Sequence, residues 1–509
     1  MTHLLFARWK KAFRSIVFIS LACLFCLFID ASTEAETINS TGGTNKIEEN
    51  GKENELEEVL DGFHDLEPVN QSVKSPESTD VDDVLEGFDD SGGLEEEISN
   101  NFERMAWWEI AGYFKASTCF NFAHEAPETG KTDHRGLSRL RGEIDLKLDF
   151  DLPKKWHSRI SGNFKHDLAF ALNGKDDYTN DMLDEMETEI ELREAFIQGA
   201  LMSNLDIKLG HQIVVWGTSE SIRVVDILNP LDRRELGIVD IEDLRLAVAM
   251  TRLDYYRGPW SITGIAIHEM RFHKEPPFGS DFYAGSTNPP PEKIPANTLD
   301  NTETAIVATG RFSGWDLTFH AARYFNDESH LETTVSGRTI RTHDRLSMAG
   351  STIVAASGNW IYKAEVAYIK GLEFHNLPKD NKSRLDILAG LEYSGITQTI
   401  ITLEIVNRHL FDHDDRLADS PDNSEKDQFQ SALRMASDFI NDTVHLTLLA
   451  GFQGETGQDG SFQRMSLEYD WTDSISLTVG GILYQSGDLV YFNTIKDNDR
   501  VFFDIKYSF

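Results

Sequence analysis

From Trp107 to Phe509, apolar and polar residues alternate over stretches longer than an ordinary strand. Leu140, Gly142, Ile144, Leu146, Leu148 and Phe150 are interleaved with Arg139, Arg141, Glu143, Asp145, Lys147 and Asp149. Met465, Leu467, Tyr469 and Trp471 alternate with Arg464, Ser466, Glu468 and Asp470, and Val501, Phe503, Ile505, Tyr507 and Phe509 end the chain in the same way. Successive side chains of a strand point to opposite faces, so each such segment has one apolar and one polar face. The pattern predicts 18 strands, at 108–122, 137–150, 156–172, 188–201, 204–216, 244–256, 259–270, 302–313, 315–326, 343–356, 359–371, 382–394, 397–410, 427–440, 442–454, 461–471, 474–486 and 499–509. Most of them reach the roughly 9 to 11 residues that cross a bilayer with tilt.

The links between these segments sort into two kinds. Short ones fall at Pro153-Lys154, Ser203-Asn204, Arg257-Gly258, Ser313-Gly314, Ser357-Gly358, Ser394-Gly395, Asn441-Asp442 and Thr472-Asp473, most with the Gly, Asn, Asp or Ser of tight hairpins. Long polar stretches lie between them, for example 217–243, 271–301, 327–342 and 411–426. Short turns at one rim, long loops at the other and an even strand count describe an outer-membrane barrel. The fold class is therefore all-β, a transmembrane antiparallel β-barrel of 16–18 strands, with 18 the preferred count. A bilayer offers no water to backbone amides, so a sheet spans it only when closed. Trp107, Trp108, Trp156, Trp260, Trp315, Trp360 and Trp471, close to strand ends, suit an interfacial girdle.

Charge changes the picture at the N-terminus. The 509 residues carry 85 acidic against 48 basic side chains, a net charge of -37, which excludes a general nucleic-acid binder. Between Thr33 and Asn100 there are 21 acidic residues and three lysines, so about half of that charge sits in a stretch almost without aromatic residues. Such a composition cannot bury a core and predicts disorder. Before it, Arg8, Lys10, Lys11 and Arg14 precede an apolar run from Ile16 to Ile29 and small residues at Ala31, Ser32 and Ala35, the layout of a secretory signal. The expected domains are a signal peptide at 1–31, a disordered acidic periplasmic segment at 32–104 and an outer-membrane β-barrel at 105–509. Cys23 and Cys26 fall in the signal, leaving Cys119 alone in the mature chain and no intrachain disulfide.

Within the acidic segment a string occurs twice, as Glu57-Glu58-Val59-Leu60-Asp61-Gly62-Phe63 and Asp82-Asp83-Val84-Leu85-Glu86-Gly87-Phe88. It reads as a docking motif for a periplasmic or inner-membrane transporter partner, as nascent helical turns ended by glycine, or as low-complexity drift. The other expected partners are the outer-membrane bilayer and the barrel assembly machinery, with Tyr507 and Phe509 on the apolar face of the last strand as the assembly signal.

A denser run lies at 193–246. Arg193-Glu194-Ala195-Phe196 is followed by Leu209-Gly210-His211-Gln212-Ile213-Val214-Val215-Trp216-Gly217, then Asp226, Asn229-Pro230, Asp232, Arg233-Arg234-Glu235 and Glu242-Asp243-Leu244-Arg245. Glu269, Arg271, Pro276, Pro277, Gly279, Ser280, Asp281 and Phe282 extend it. This run resembles a family of uncharacterised proteobacterial outer-membrane proteins with a "GKQ-V-WG … D-NP-D-RE … ED-R" signature, with His211 where Lys is common and His268-Glu269 in place of Pro-Glu. The resemblance implies a porin-like channel in the cell outer membrane, with hydrophobic compounds or lipids among its candidate solutes. An export conduit docked to an inner-membrane efflux system, or a surface adhesin or structural barrel, are the alternatives.

A loop this rich in charge cannot face lipid. Arg223, Asp226, Asn229, Asp232, Arg233, Arg234, Glu235, Asp240, Glu242, Asp243 and Arg245 are therefore candidates for a constriction folded into the lumen or for an exposed loop. Arg139, Arg141, Glu143, Asp145 and Lys147 are candidates for the lumen wall. No Gly-x-Ser-x-Gly nucleophile motif or phosphate-binding glycine loop occurs, and the histidines 211, 268, 273, 320, 330, 343 and 375 have no metal-ligand spacing. Neither catalysis nor a cofactor or metal is expected. The proline-rich stretch at Pro276, Pro277, Pro289, Pro290, Pro291 and Pro295 predicts an irregular loop outside the barrel or across its mouth.

Overall fold

A computed structural model describes residues 107–128, 130–239 and 241–509. The signal peptide and the acidic segment with its repeated string lie outside the described residues. The strands are β1 (Trp108–Asn121), β2 (Gly136–Leu152), β3 (Trp156–Asp167), β4 (Thr188–Met202), β5 (Leu205–Gln212), β6 (Val248–Arg257), β7 (Trp260–Ile267), β8 (Glu303–Phe312), β9 (Trp315–Phe325), β10 (His330–Thr333), β11 (Thr339–Thr342), β12 (Arg345–Ser357), β13 (Trp360–Leu372), β14 (Lys382–Ile396), β15 (Thr399–Leu410), β16 (Asp427–Phe439), β17 (Val444–Gln453), β18 (Gly460–Thr472), β19 (Ile475–Gln485) and β20 (Arg500–Ser508). All but β10 and β11, which form a separate hairpin, belong to one 18-stranded sheet. Each sheet strand pairs antiparallel with its neighbour in the chain, β9 continuing to β12, and β20 returns to β1 with Phe114 opposite Tyr507. The amide and carbonyl of Phe509 both bond Gly112 at 2.9 Å, which seals the seam. The sheet is thus a closed barrel without a free edge, the form a lipid environment demands.

The strand pattern maps directly onto the two surfaces. Ile110, Phe114, Leu146, Ile160, Phe164, Ile190, Ile306, Ile387, Ile405, Val479, Phe503 and Ile505 are exposed on the outside. Their neighbours in sequence point inward, as Arg139, Arg159 and Asn163 do. All seven of the tryptophans near strand ends lie at the short-turn rim, where β1 begins and β20 ends.

Four strand limits differ from the sequence expectation by three residues or more. The third strand stops at Asp167, whose Oδ1 accepts the amides of Leu140 and Ala169 and starts a short helix, α1 (Ala169–Asn173). The fifth, sixth and seventh strands end at Gln212, begin at Val248 and end at Ile267, because the residues beyond those points turn into the lumen. The turn expected at Ser394-Gly395 lies at Thr397-Gln398 instead; β14 carries an irregularity between Tyr393 and Ile396, and Gln398 takes the positive φ of 53° that the turn needs. Two further helices, α2 (Asn180–Met186) and α3 (Val490–Ile495), sit in long loops where alternation gave no signal.

Candidate functional site

The segment 213–247 between β5 and β6 leaves the wall and crosses the lumen. Its frame is built by the asparagine and aspartate of the sequence signature. Asn229, fully buried, accepts the Val214 amide at 2.8 Å and donates to the carbonyls of Gln212 and Leu246, so one side chain ties the point where the chain leaves β5 to the point where it returns. Asp226 accepts the Trp216 amide and both Nε and Nη2 of Arg245 at 3.0 and 2.8 Å. Arg223 folds back on the carbonyls of Asp226 and Asn229.

Val214, Trp216, Val224, Val225 and Leu228 on this frame pack against the inner face of β6 to β15, where Met250, Ile265, Ile267, Val307, Tyr324, Met348, Ile369, Leu388 and Val406 form one apolar cluster with them. Close approach is made possible by Gly350, where a Cβ would stand 3.0 Å from Val225 Cγ1. At the tip, two buried glutamates of the far wall receive the backbone. Glu365 on β13 accepts the amides of Thr218 and Ser219 and, at 3.4 Å, of Val225. Glu404 on β15 accepts Glu220, Ser221 and Ile222 amides at 2.8, 2.9 and 3.2 Å and the Ser219 hydroxyl at 2.7 Å. Gly217, at φ 95°, lies so near that a Cβ would come within 2.9 Å of Glu365 Oε1. Glu220 then pairs with Lys363 at 2.7 Å and with Arg434 at 3.6 Å.

Beside the loop lies a cavity of about 460 Å³, bounded by the loop on one side and by β1 to β4 and β16 to β20 on the other. Its lining is charged and mixed: Lys115, Arg139, Arg141, Lys165, Arg193, Arg245, Lys274, Arg434, Arg464 and Lys506 face Glu143, Glu189, Glu191, Glu220, Asp232, Asp243, Glu468 and Asp504. Many of these are mutually paired, as in Lys115 with Asp504 at 3.2 Å and Lys274 with both Glu189 and Glu191 at 2.6 Å. Toward the long-loop rim the cavity is separated from a small chamber of about 30 Å³, and Arg141 borders both. The divider is Glu235, whose Oε2 meets Arg139 and, at 3.2 Å, Arg141. Burial alone would push this carboxyl up, but the Arg139 and Arg141 charges outweigh it and hold it well below the carboxylate range.

A second loop, 268–302, closes over the same side. Arg271 reaches Glu191 at 2.6 Å, and Phe282 is buried against Tyr484. Asp281 accepts Arg500 Nη2 at 2.8 Å and Asn121 Nδ2 at 3.1 Å. Against the rise that burial would cause, Arg500 keeps Asp281 at about 2. The first part of this loop, 271–282, therefore reaches over to β4, β19 and β20, while Pro290 and Pro291 accept the side chain and amide of Arg341 on β11 at the rim.

The expected residues thus divide. Glu235, Asp232, Asp243 and Arg245 stand at the cavity or its divider. Arg223, Asp226 and Asn229 hold the loop together from within. Arg234 pairs with Asp232 and Glu189, joining the loop to β4. Arg233 points instead to Glu328 and Glu275 at the rim. Asp240 and the side chain of Glu242 lie outside the described residues. Of the wall candidates, Arg139, Arg141 and Glu143 line the cavity, while Asp145 and Lys147 share their face of β2 and pair with Arg193 and Asp149 at 3.7 and 3.6 Å. Sequence reasoning missed Glu365 and Glu404; the available signal was a single acid among inward positions otherwise occupied by Ala367 and Ile369, or by Thr402 and Val406.

Fold and site define a closed barrel with an inward loop that narrows a polar lumen. The chain belongs to the family described as protein of unknown function, DUF1302, which its residues 128–509 match. A comparison with curated proteins found no match. Solved structures of similar course include the outer membrane protein OpdK from Pseudomonas aeruginosa, at 11% identity and TM-score 0.46 over 79% of this chain and 98% of that one. They also include a BenF-like porin from Pseudomonas fluorescens, at 10% and 0.48 over 79% and 98%. A third is OccAB1 from Acinetobacter baumannii, at 10% and 0.47 over 79% and 96%.

Proposed function

We propose that this protein is an outer-membrane channel for small polar or charged solutes, narrowed by the segment 213–247. The observation that carries the reading is the polar cavity left between that segment and the β16 to β4 wall. Rings or arcs of opposed charge at a constriction are how pores choose among ions and solutes. Hydrophobic compounds or lipids fit this lining poorly, since their passage would strip water from charged groups without replacing it. In this reading the short-turn rim with its tryptophans faces the periplasm, where β1 would be preceded by the acidic segment, whose repeated string would dock a periplasmic or inner-membrane partner. Tyr507 and Phe509, exposed on the outer face, are available to the assembly machinery.

The test is single-channel recording and liposome swelling with the refolded protein across solutes of graded size and polarity. Small charged and polar solutes are expected to pass and apolar ones to be excluded. A folded barrel that passes none of them would overturn the reading in favour of an adhesin or structural barrel.

A further inference from the structure

Among the described residues, one group of His, Cys, Asp and Glu side chains brings three ligand atoms within 4.8 Å of one another: His330, Asp344 and Glu373. It lies at the long-loop rim, apart from the cavity. His330 opens the small hairpin of β10 and β11, Asp344 directly precedes β12, and Glu373 directly follows β13. Three separate pieces of chain therefore converge here, which explains why no spacing in the sequence announced it.

Asp344 is held in place. It is 4% exposed, its Oδ2 accepts the Glu373 amide at 2.8 Å, and its carbonyl accepts the Asn326 amide at 2.8 Å. Its other oxygen, Oδ1, lies 2.6 Å from His330 Nδ1, a close ion pair that falls short of hydrogen-bond alignment. A cation placed between the two atoms would satisfy both directionally, which the misaligned pair does not. Glu373 stands on the open side, half exposed and restrained by a 3.4 Å contact from Asn381, with one carboxylate oxygen within 4.8 Å of the ligand atoms of the other two residues.

We propose that His330, Asp344 and Glu373 bind one divalent transition-metal ion of the zinc type, which fastens the β10–β11 hairpin to the barrel rim. The donor set decides the class. Calcium and magnesium prefer all-oxygen shells, whereas zinc accepts one imidazole and two carboxylates, and three protein ligands leave a position for water. Two carboxylates neutralise the ion's charge. Ligand bonds of about 2.0–2.2 Å require the His330–Asp344 pair to part slightly and Glu373 to swing inward, and the exposed Glu373 is free to do so.

The experiment is calorimetric titration of the refolded full chain, stripped with a chelator, with zinc chloride and in parallel with magnesium chloride. One equivalent of zinc and no magnesium binding at the same concentrations is expected. Asp344→Asn and His330→Gln should each weaken zinc binding by more than about tenfold, since even second-shell changes around zinc reach that size. As a second readout, zinc should protect the hairpin turn at Thr334–Gly337 from protease in the parent and not in Glu373→Gln. A folded parent that takes up no zinc, or variants that bind it as the parent does, would return the cluster to a plain ion pair. The site is independent of the channel reading, because a barrel that conducts without binding zinc overturns this inference alone.

Discussion

The inner wall of the barrel has two unlike arcs. From β6 to β15 it is mainly apolar, interrupted by buried acids such as Glu365 and Glu404, and the crossing segment lies on it with Val225 and Leu228 almost fully buried. From β16 round to β4 the wall alternates apolar residues outside with charged ones inside and faces the cavity. The same sheet, with the same outer face, thus builds a docking surface on one side and a wetted surface on the other. A loop can be fixed inside a barrel only where burial repays the ordering of its backbone, which the apolar arc supplies. The polar arc would leave it in competition with water. The division therefore places the open cavity off centre, along the charged arc.

The largest test of this comparison removes the two acceptors at the loop tip. In Glu365→Ala/Glu404→Ala at least five buried or half-buried amides lose their acceptors. Hydrogen bonds to charged groups contribute about 1.5–3 kcal/mol each, so the tip should detach and conductance should rise severalfold in single-channel recordings. Unchanged conductance would mean that the apolar arc holds the loop unaided. Next in size, Leu228→Ala should cost about 2–4 kcal/mol in denaturant unfolding, and Thr478→Ala, on the polar arc, under about 0.5 kcal/mol. Equal costs would erase the distinction between the arcs. Smaller again, Glu235→Gln removes the counter-charge of Arg139 and Arg141 at the divider. The reversal potential in a salt gradient should then move toward anion preference; a shift toward cations would show that Glu235 does not border the ion path.

The two arcs also explain what could be read in the sequence. The segments with the cleanest alternation, around Leu140–Phe150, Met465–Trp471 and Val501–Phe509, all belong to the cavity arc, where water on one face and an apolar environment on the other give each residue one unambiguous choice. In the other arc Ala305, Ile306, Val307 and Ala308 run together because both faces are covered, outside by the apolar environment and inside by the loop. Strand positions survive this, since β-branched runs between turns still read as strands, but nothing local says what covers the inner face. The charged motif at 223–245 was visible as a unit. Its division into frame residues such as Asn229 and cavity residues such as Asp243 depends on contacts across 17 to 50 positions of chain, which no pattern of neighbours encodes.

The finest test concerns the joint between the two inward loops. His273 is buried at the rim, and its Nδ1 accepts the Leu231 amide at 2.8 Å, so it must stay unprotonated there. Burial first, then the nearby Arg233 charge, lowers its pKa from 6.5 to about 3. Between those values the unfolded chain binds a proton that the folded one refuses, so the histidine's contribution is complete above about pH 6.5 and is lost as pH falls toward 3. Glu328, held at about 2 by Arg233, loses its own contribution only below its ordinary value near 4.5. Asp327, pushed well above its usual range by burial, titrates with the opposite sign, so the comparison must be with a variant that changes the histidine alone. His273→Asn keeps an oxygen that can accept the Leu231 amide and does not titrate. Protease cleavage within 213–247, followed from pH 7 to pH 4.5, should increase modestly in the parent and stay level in the variant. A parallel increase in both would place the acid-sensitive joint elsewhere, in the carboxylates around Arg233.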